Sequence, residues 1–129
     1  LVADVSASCK KYGLKLGLYL YPGDDKWGAG LGSGGRTSDP SKQEAYNKIY
    51  RQQLTELLTN YGAITEVWFD GNCVIDVKDI LEKYAKDAVI FQSPQATIRW
   101  VGNEEGYAPY PAWNGINSAD LRTGVATAV

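Results

Sequence analysis

Carboxylates at the ends of apparent strands are the residues of this chain best placed to do chemistry. Asp70 closes a run of good strand formers in "TEVWFDGN", Thr65 to Asn72, and a glycine follows it. Glu104 and Glu105 stand in a comparable place, inside "GNEEG". On its own, Asp70 before Gly71 fits a turn former, a helix cap, a metal ligand or a catalyst. A pair of carboxylates at the ends of neighbouring strands fits glycoside hydrolysis. One attacks or activates water, and the other protonates the leaving oxygen. Asp and Glu also hold Mg²⁺ or Ca²⁺, but two sites without a third acid nearby make a poor cage. No metal site is therefore expected.

The remaining side chains narrow the chemistry. The sequence has no histidine, which removes His-based triads, His-ligated zinc and His general bases. Its two cysteines, Cys9 and Cys73, are too few for a disulfide scaffold. Cys73 lies near Asp70 but lacks an apparent activating base and reads as a bystander. Trp27, Trp68, Trp100 and Trp113 fall in or near strand ends and loops. Flat rings of this kind stack on the apolar face of a pyranose. Core packing is the competing role, above all for Trp68, which lies inside a strand. Gly30 to Gly35 spell a literal G-x-G-x-x-G. A dinucleotide site needs those glycines to open a helix directly, whereas Arg36 to Asp39 intervene here. The loop reads as a flexible surface segment.

These residues need elements to position them. Leu1 to Tyr12 has helical periodicity, with Leu1, Val5, Cys9 and Tyr12 on one face and Gly13 as a left-handed stop. "LKLGLYLYP" alternates as a strand and ends at Pro22. After the glycine loop, Asp39 is a cap and Pro40 a first helical residue. Tyr46, Tyr50, Leu54, Leu57, Leu58 and Tyr61 mark the apolar face of that helix, and Gly62 ends it. "ITEVWFD" is the second strand, Val77 to Ala85 a helix, and "AVIF" a strand apolar enough to be covered on both faces. "TIRWV" reads as a short fourth strand. Strands separated by helices imply parallel βαβ units, whose function gathers at the carboxyl ends of the strands. Asp70, "QSPQ" and "GNEEG" all lie at such ends.

The chain has 129 residues, enough for one domain spanning 1–129. With 44% hydrophobic and 22% charged residues it reads as globular. A net charge of −2 with no basic run gives no electrostatic reason to bind nucleic acid or an anionic membrane. No apolar run approaches the roughly 18 residues of a membrane span, and no signal peptide opens the chain. The compartment stays open. No methionine is present, which reads as a fragment or a processed chain.

"YGLKLGLYLYP", "QLTELLTNYGAITEVWFDG", "AVIFQSP" and "IRWVGNEEGYA" closely resemble glycoside hydrolase family 29, the α-L-fucosidases, in order from Leu1 to about Asn117. The resemblance implies a retaining exo-hydrolase acting on terminal α-L-fucose, without a cofactor. It matches Asp70 to the family nucleophile and Glu104, the glutamate after Asn103, to the acid/base. Trp68, Trp100, Asn103 and Trp27 are the expected sugar contacts. The implied fold is α/β, a partial (β/α)₈ TIM-barrel-like domain with three to four parallel strands and flanking helices. A full barrel takes about 250 residues. The family's His-His-Asp-Gly block has no counterpart here, and the spacing from Asp70 to Glu104 is shorter than the family pattern implies. The expectation is a fucosidase that acts on fucosylated oligosaccharide or glycoconjugate and self-assembles as a homo-oligomer to complete its pocket. The alternative is an inactive half-barrel with at most carbohydrate binding.

Overall fold

The computed structural model describes residues 1–101, 103–108 and 110–111. The element order is α1 (Val2–Tyr12), β1 (Leu16–Tyr19), α2 (Gln43–Asn60), β2 (Ile64–Trp68), α3 (Lys78–Tyr84) and β3 (Val89–Phe91). The three strands form one parallel sheet in the order β1-β2-β3. This is the α/β strand-helix alternation expected of a partial barrel. The expected fourth strand shrinks to a single parallel bridge between Phe91 and Ile98. Thr97 explains why: its hydroxyl accepts from the Ile90 amide at 2.9 Å, and its own amide and that of Ile98 both reach the Ile90 carbonyl. One residue of β3 thus absorbs several ladder bonds, and the pairing goes no further.

Local signals account for the element ends. Gly13 adopts φ 67° and its amide returns to the carbonyls of Cys9 and Lys10, closing α1. Asp39 accepts from the amide of Ser41 at 3.0 Å and caps a short 3-10 turn, Pro40–Lys42, that runs into α2. On α2, Tyr46, Tyr50, Leu54 and Leu58 are buried at four-residue spacing. They pack with Val67, Phe69, Ile80, Leu81 and Ile90 into one core between the helices and one face of the sheet. Leu54 and Val67 are fully buried there.

Two buried phenols on α2 fix the end of β1. The Tyr50 hydroxyl donates to the Leu20 carbonyl at 2.9 Å, and the Tyr46 hydroxyl donates to that of Pro22 at 2.6 Å. Burial pushes the Tyr46 phenol up to about 12, and drives that of Tyr50 higher still. Both rings therefore stay neutral donors. Tyr50→Phe keeps the packing but leaves the partly buried Leu20 carbonyl without its partner. It should cost about 1–2 kcal/mol, read as a lower denaturation midpoint in urea.

The glycine loop was expected at the surface; Leu31 and Gly32 are exposed there, whereas its end, Gly34 and Gly35, is packed against the core. The Val74 amide donates to the Gly34 carbonyl at 2.8 Å. A Cβ on Gly34 would lie 2.9 Å from the Asn72 carbonyl oxygen, and both Gly34 and Gly35 have left-handed φ. Close approach and backbone sign together require glycine at these two positions. The loop braces the segment that follows Asp70.

The opposite side of the molecule is uncovered. Tyr19, Trp68 and Val89 expose 58%, 40% and 46% of their surface on the far face of the sheet. No residue of α1 is buried, so its expected apolar face, with Leu1, Val5 and Tyr12, is open as well.

Candidate active site

Asp70 follows β2 by two residues. Val67 and Phe69 turn into the helix-covered core, so Trp68 and then Asp70 fall to the uncovered face. The register sets Tyr19 of β1 opposite Trp68, and Trp68 opposite Phe91 of β3. That row exists because the β1–β2 pairing shifts between Leu16 and Gly17, leaving Thr65 as an extra residue. Thr65 donates its hydroxyl to the Leu16 carbonyl at 3.0 Å and so anchors the shift. The outcome is a direct contact: the Tyr19 hydroxyl donates to Oδ2 of Asp70 at 2.7 Å. The hydrogen bond to Asp70 holds the Tyr19 phenol above its ordinary range, with smaller help from desolvation and from the carboxylate charge.

That contact has a spectroscopic consequence. A raised phenol pKa contributes stability that is present below the unfolded value of about 10 and is lost as pH rises through the folded value. A near-UV absorbance titration, taken as the wild-type minus Tyr19→Phe difference, should therefore show a phenol titrating above 10. Asp70→Asn should bring it back toward the ordinary value.

The other expected site residues divide into groups. Trp68 packs on Phe91 with ring centroids 4.2 Å apart and keeps one side open, so it is no core residue. Trp100 is about half exposed and its indole N–H donates to the Asn103 carbonyl at 3.0 Å. Asn103 spends its side chain locally, accepting from the Glu105 amide at 2.9 Å and donating to the Tyr107 carbonyl at 3.4 Å. Glu104 is exposed, and among the described residues no hydrogen bond joins it to Asp70. Trp27 lies apart from this group. It stacks on Tyr46 at 5.8 Å and packs against the core from the glycine loop. Trp113 lies outside the described residues.

Three further side chains enter the site. Gln92, Ser93 and Arg99 line a cavity of 460 Å³ together with Gly71, Asn72 and Pro94. It sits just past the ends of β2 and β3, beside Asp70. The Nε of Arg99 is buried without a hydrogen-bond partner among the described residues. Tyr19 was findable in part, since it ends an alternating strand. Gln92 and Ser93 were findable as the start of the strand-end "QSPQ", whereas Arg99 carries no such signal. A larger hollow of 650 Å³ lies between α2 and α3 around Arg51, Thr55, Asp79 and Lys83. It is remote from the strand ends, where parallel sheets gather their chemistry. Cys73 is buried, and burial pushes its thiol up, away from the thiolate form. No group of three or more metal-ligating side chains occurs among the described residues.

Residues 1–110 match the family model described as α-L-fucosidase. The chain belongs to the α-L-fucosidase family. The family match ends near residue 110, short of the expected Asn117. α-L-Fucosidase 1 of Arabidopsis thaliana is 34% identical over 134 aligned residues, which take in 96% of this chain and 24% of the plant protein. The structure of a candidate α-L-fucosidase from Bacteroides thetaiotaomicron superposes with a TM-score of 0.72 at 30% identity, over 87% of this chain and 28% of that one. A glycoside hydrolase 29 family member from an unknown rumen bacterium gives a TM-score of 0.66 at 28% identity, over 96% and 26%. The chain thus spans about a quarter of the length of the α-L-fucosidases it matches.

Proposed function

We propose that this chain carries the two catalytic carboxylates of a retaining α-L-fucosidase that releases terminal α-L-fucose from glycans. The observation behind the reading is the Tyr19-held carboxylate of Asp70 at the end of β2, within a chain of the α-L-fucosidase family. In the first step an Asp70 oxygen attacks the anomeric carbon as the bond to the leaving oxygen breaks, and Glu104 gives that oxygen its proton. In the second, water attacks the fucosyl-enzyme, Glu104 takes the water's proton, and Asp70 leaves. Two inversions give net retention. Trp68 and Trp100 offer half-open rings to the apolar face of the sugar, and Arg99 belongs to the lining of the cavity where hydroxyls would lie.

The uncovered sheet face and the two edge strands favour self-association. Among the described residues β1 leaves one edge without a strand partner, β3 has only the bridge at Ile98 on its outer edge, and apolar rings lie exposed on the sheet face between them. Exposed strand edges and apolar patches drive association. A closed homo-oligomer would also supply pocket walls to Asp70. Sedimentation at micromolar concentration should show an oligomer. A cooperative monomer whose melt is independent of concentration contradicts this.

Hydrolysis of a chromogenic α-L-fucoside, measured beside the solution mass, tests the whole reading. The open face favours one second reading, an inactive half-barrel with at most carbohydrate binding. Fucose-dependent stabilisation without turnover would select it.

A further inference from the structure

Gln92 and Ser93, directly after β3, both hold left-handed backbone, with φ 62° and 74°. Side chains other than glycine rarely adopt it, and two in succession require compensation from their surroundings. The compensation at Gln92 is specific. Its backbone amide donates to the Ile98 carbonyl at 3.3 Å, and its side-chain Oε1 accepts from the Trp100 amide at 3.3 Å. The bonds continue toward Glu104: Trp100 donates its indole N–H to the Asn103 carbonyl, and Asn103 accepts from the Glu105 amide. On the other side, Phe91 packs on Trp68, two residues before Asp70. Gln92 therefore stands where the support of one carboxylate meets the support of the other.

We propose that Gln92 is a positioning residue for proton donation, holding the Trp100–Glu104 segment against the end of β3 through its side-chain oxygen. The inference rests on the fucosidase reading above. The strained turn directs the Gln92 side chain back along the segment that carries Glu104. A glycine there would suit the backbone but offer no acceptor. Gln92 also lines the cavity, and a contact with sugar there would act on all fucosides alike. The positioning effect is confined to steps in which Glu104 must find the leaving oxygen, because an activated phenol departs without a proton.

Gln92→Gly and Gln92→Glu separate this role from a structural one. Each is assayed on an alkyl α-L-fucoside and a nitrophenyl α-L-fucoside, with melting temperature and hydrogen exchange measured alongside. Gln92→Gly should lower kcat for the alkyl fucoside about tenfold, the scale of one hydrogen bond in a barrier. Nitrophenyl turnover should fall less, so that the alkyl-to-nitrophenyl ratio reads the positioning role apart from any loss the cavity wall brings to both substrates. The melting temperature should hold or rise, since glycine relieves the left-handed backbone. Exchange at the Trp100 amide should quicken. Gln92→Glu keeps an acceptor of the same length and should recover most of both losses. Equal losses on both substrates, or losses that track the melting temperature, overturn the positioning role while leaving the fucosidase reading standing. A wild-type chain inert toward both substrates overturns the fucosidase reading, and the role of Gln92 falls with it.

Discussion

On the proposed reading Asp70→Ala should abolish fucoside turnover and change the melting temperature little; this is the largest effect expected of any single substitution here. A nucleophile that forms the covalent intermediate has no substitute in a double displacement. Loss of such a group typically costs about 10⁴-fold or more in kcat. The fold tolerates the change because Asp70 is exposed and takes its hydrogen bond from Tyr19, a side chain that is itself mostly in solvent. The strand beneath does not depend on it: the Phe69 amide is paired to the Phe91 carbonyl at 3.0 Å, and the Phe69 ring is fully buried. The Tyr19 contact engages Oδ2 and leaves the second oxygen of Asp70 available for attack. Turnover and a thermal melt on the same preparation check both halves. Wild-type-like activity in Asp70→Ala ends the assignment.

The second large effect separates two adjacent glutamates. Glu104→Gln should slow alkyl fucosides by about 10²–10⁴-fold, the usual contribution of a positioned general acid, and spare nitrophenyl fucosides at the first step. Glu105→Gln should do neither. Alternation along an extended segment would turn the two side chains to opposite faces. The structure replaces that argument, because residues 104–107 bend rather than extend, and both glutamates are exposed. What distinguishes them is the Asn103 side chain, which captures the Glu105 amide and ties that residue into the turn. A leaving-group series on the two variants decides it. The opposite pattern moves the acid one residue along the chain. Retention also requires the two carboxyl groups about 5–5.5 Å apart in the working enzyme.

The sequence by itself determined the elements and their order, because the signals involved are local. Gly13 ends α1 since a left-handed residue must follow the last turn, and Asp39 with Pro40 opens the short 3-10 turn that leads into α2 by capping and a fixed φ. Tyr46, Tyr50, Leu54 and Leu58 mark the buried side of α2 through spacing alone. The strand-end position of Asp70 follows from the same alternation, and the family from the "WFDG" and "RWVGNE" blocks. Only the tertiary structure decided what meets Asp70. Tyr19 is 51 residues away, and it faces the carboxylate because one extra residue, Thr65, shifts a parallel register. Without that shift Tyr19 would sit opposite Val67, whose side chain belongs to the core. The glycine loop was equally undecidable from composition, because glycine serves flexible chain and close packing alike. Asn72 and Ile75, brought up beneath Gly34 and Gly35, turn it into packed backbone. Trp27 and Trp68, both expected at the sugar, lie in different surroundings for a related reason. Flat rings look alike in sequence, but Tyr46 waited beneath one, and the uncovered face of the sheet lay beneath the other. Register and long-range contact are pairwise properties of distant residues, and no single segment of the chain contains them.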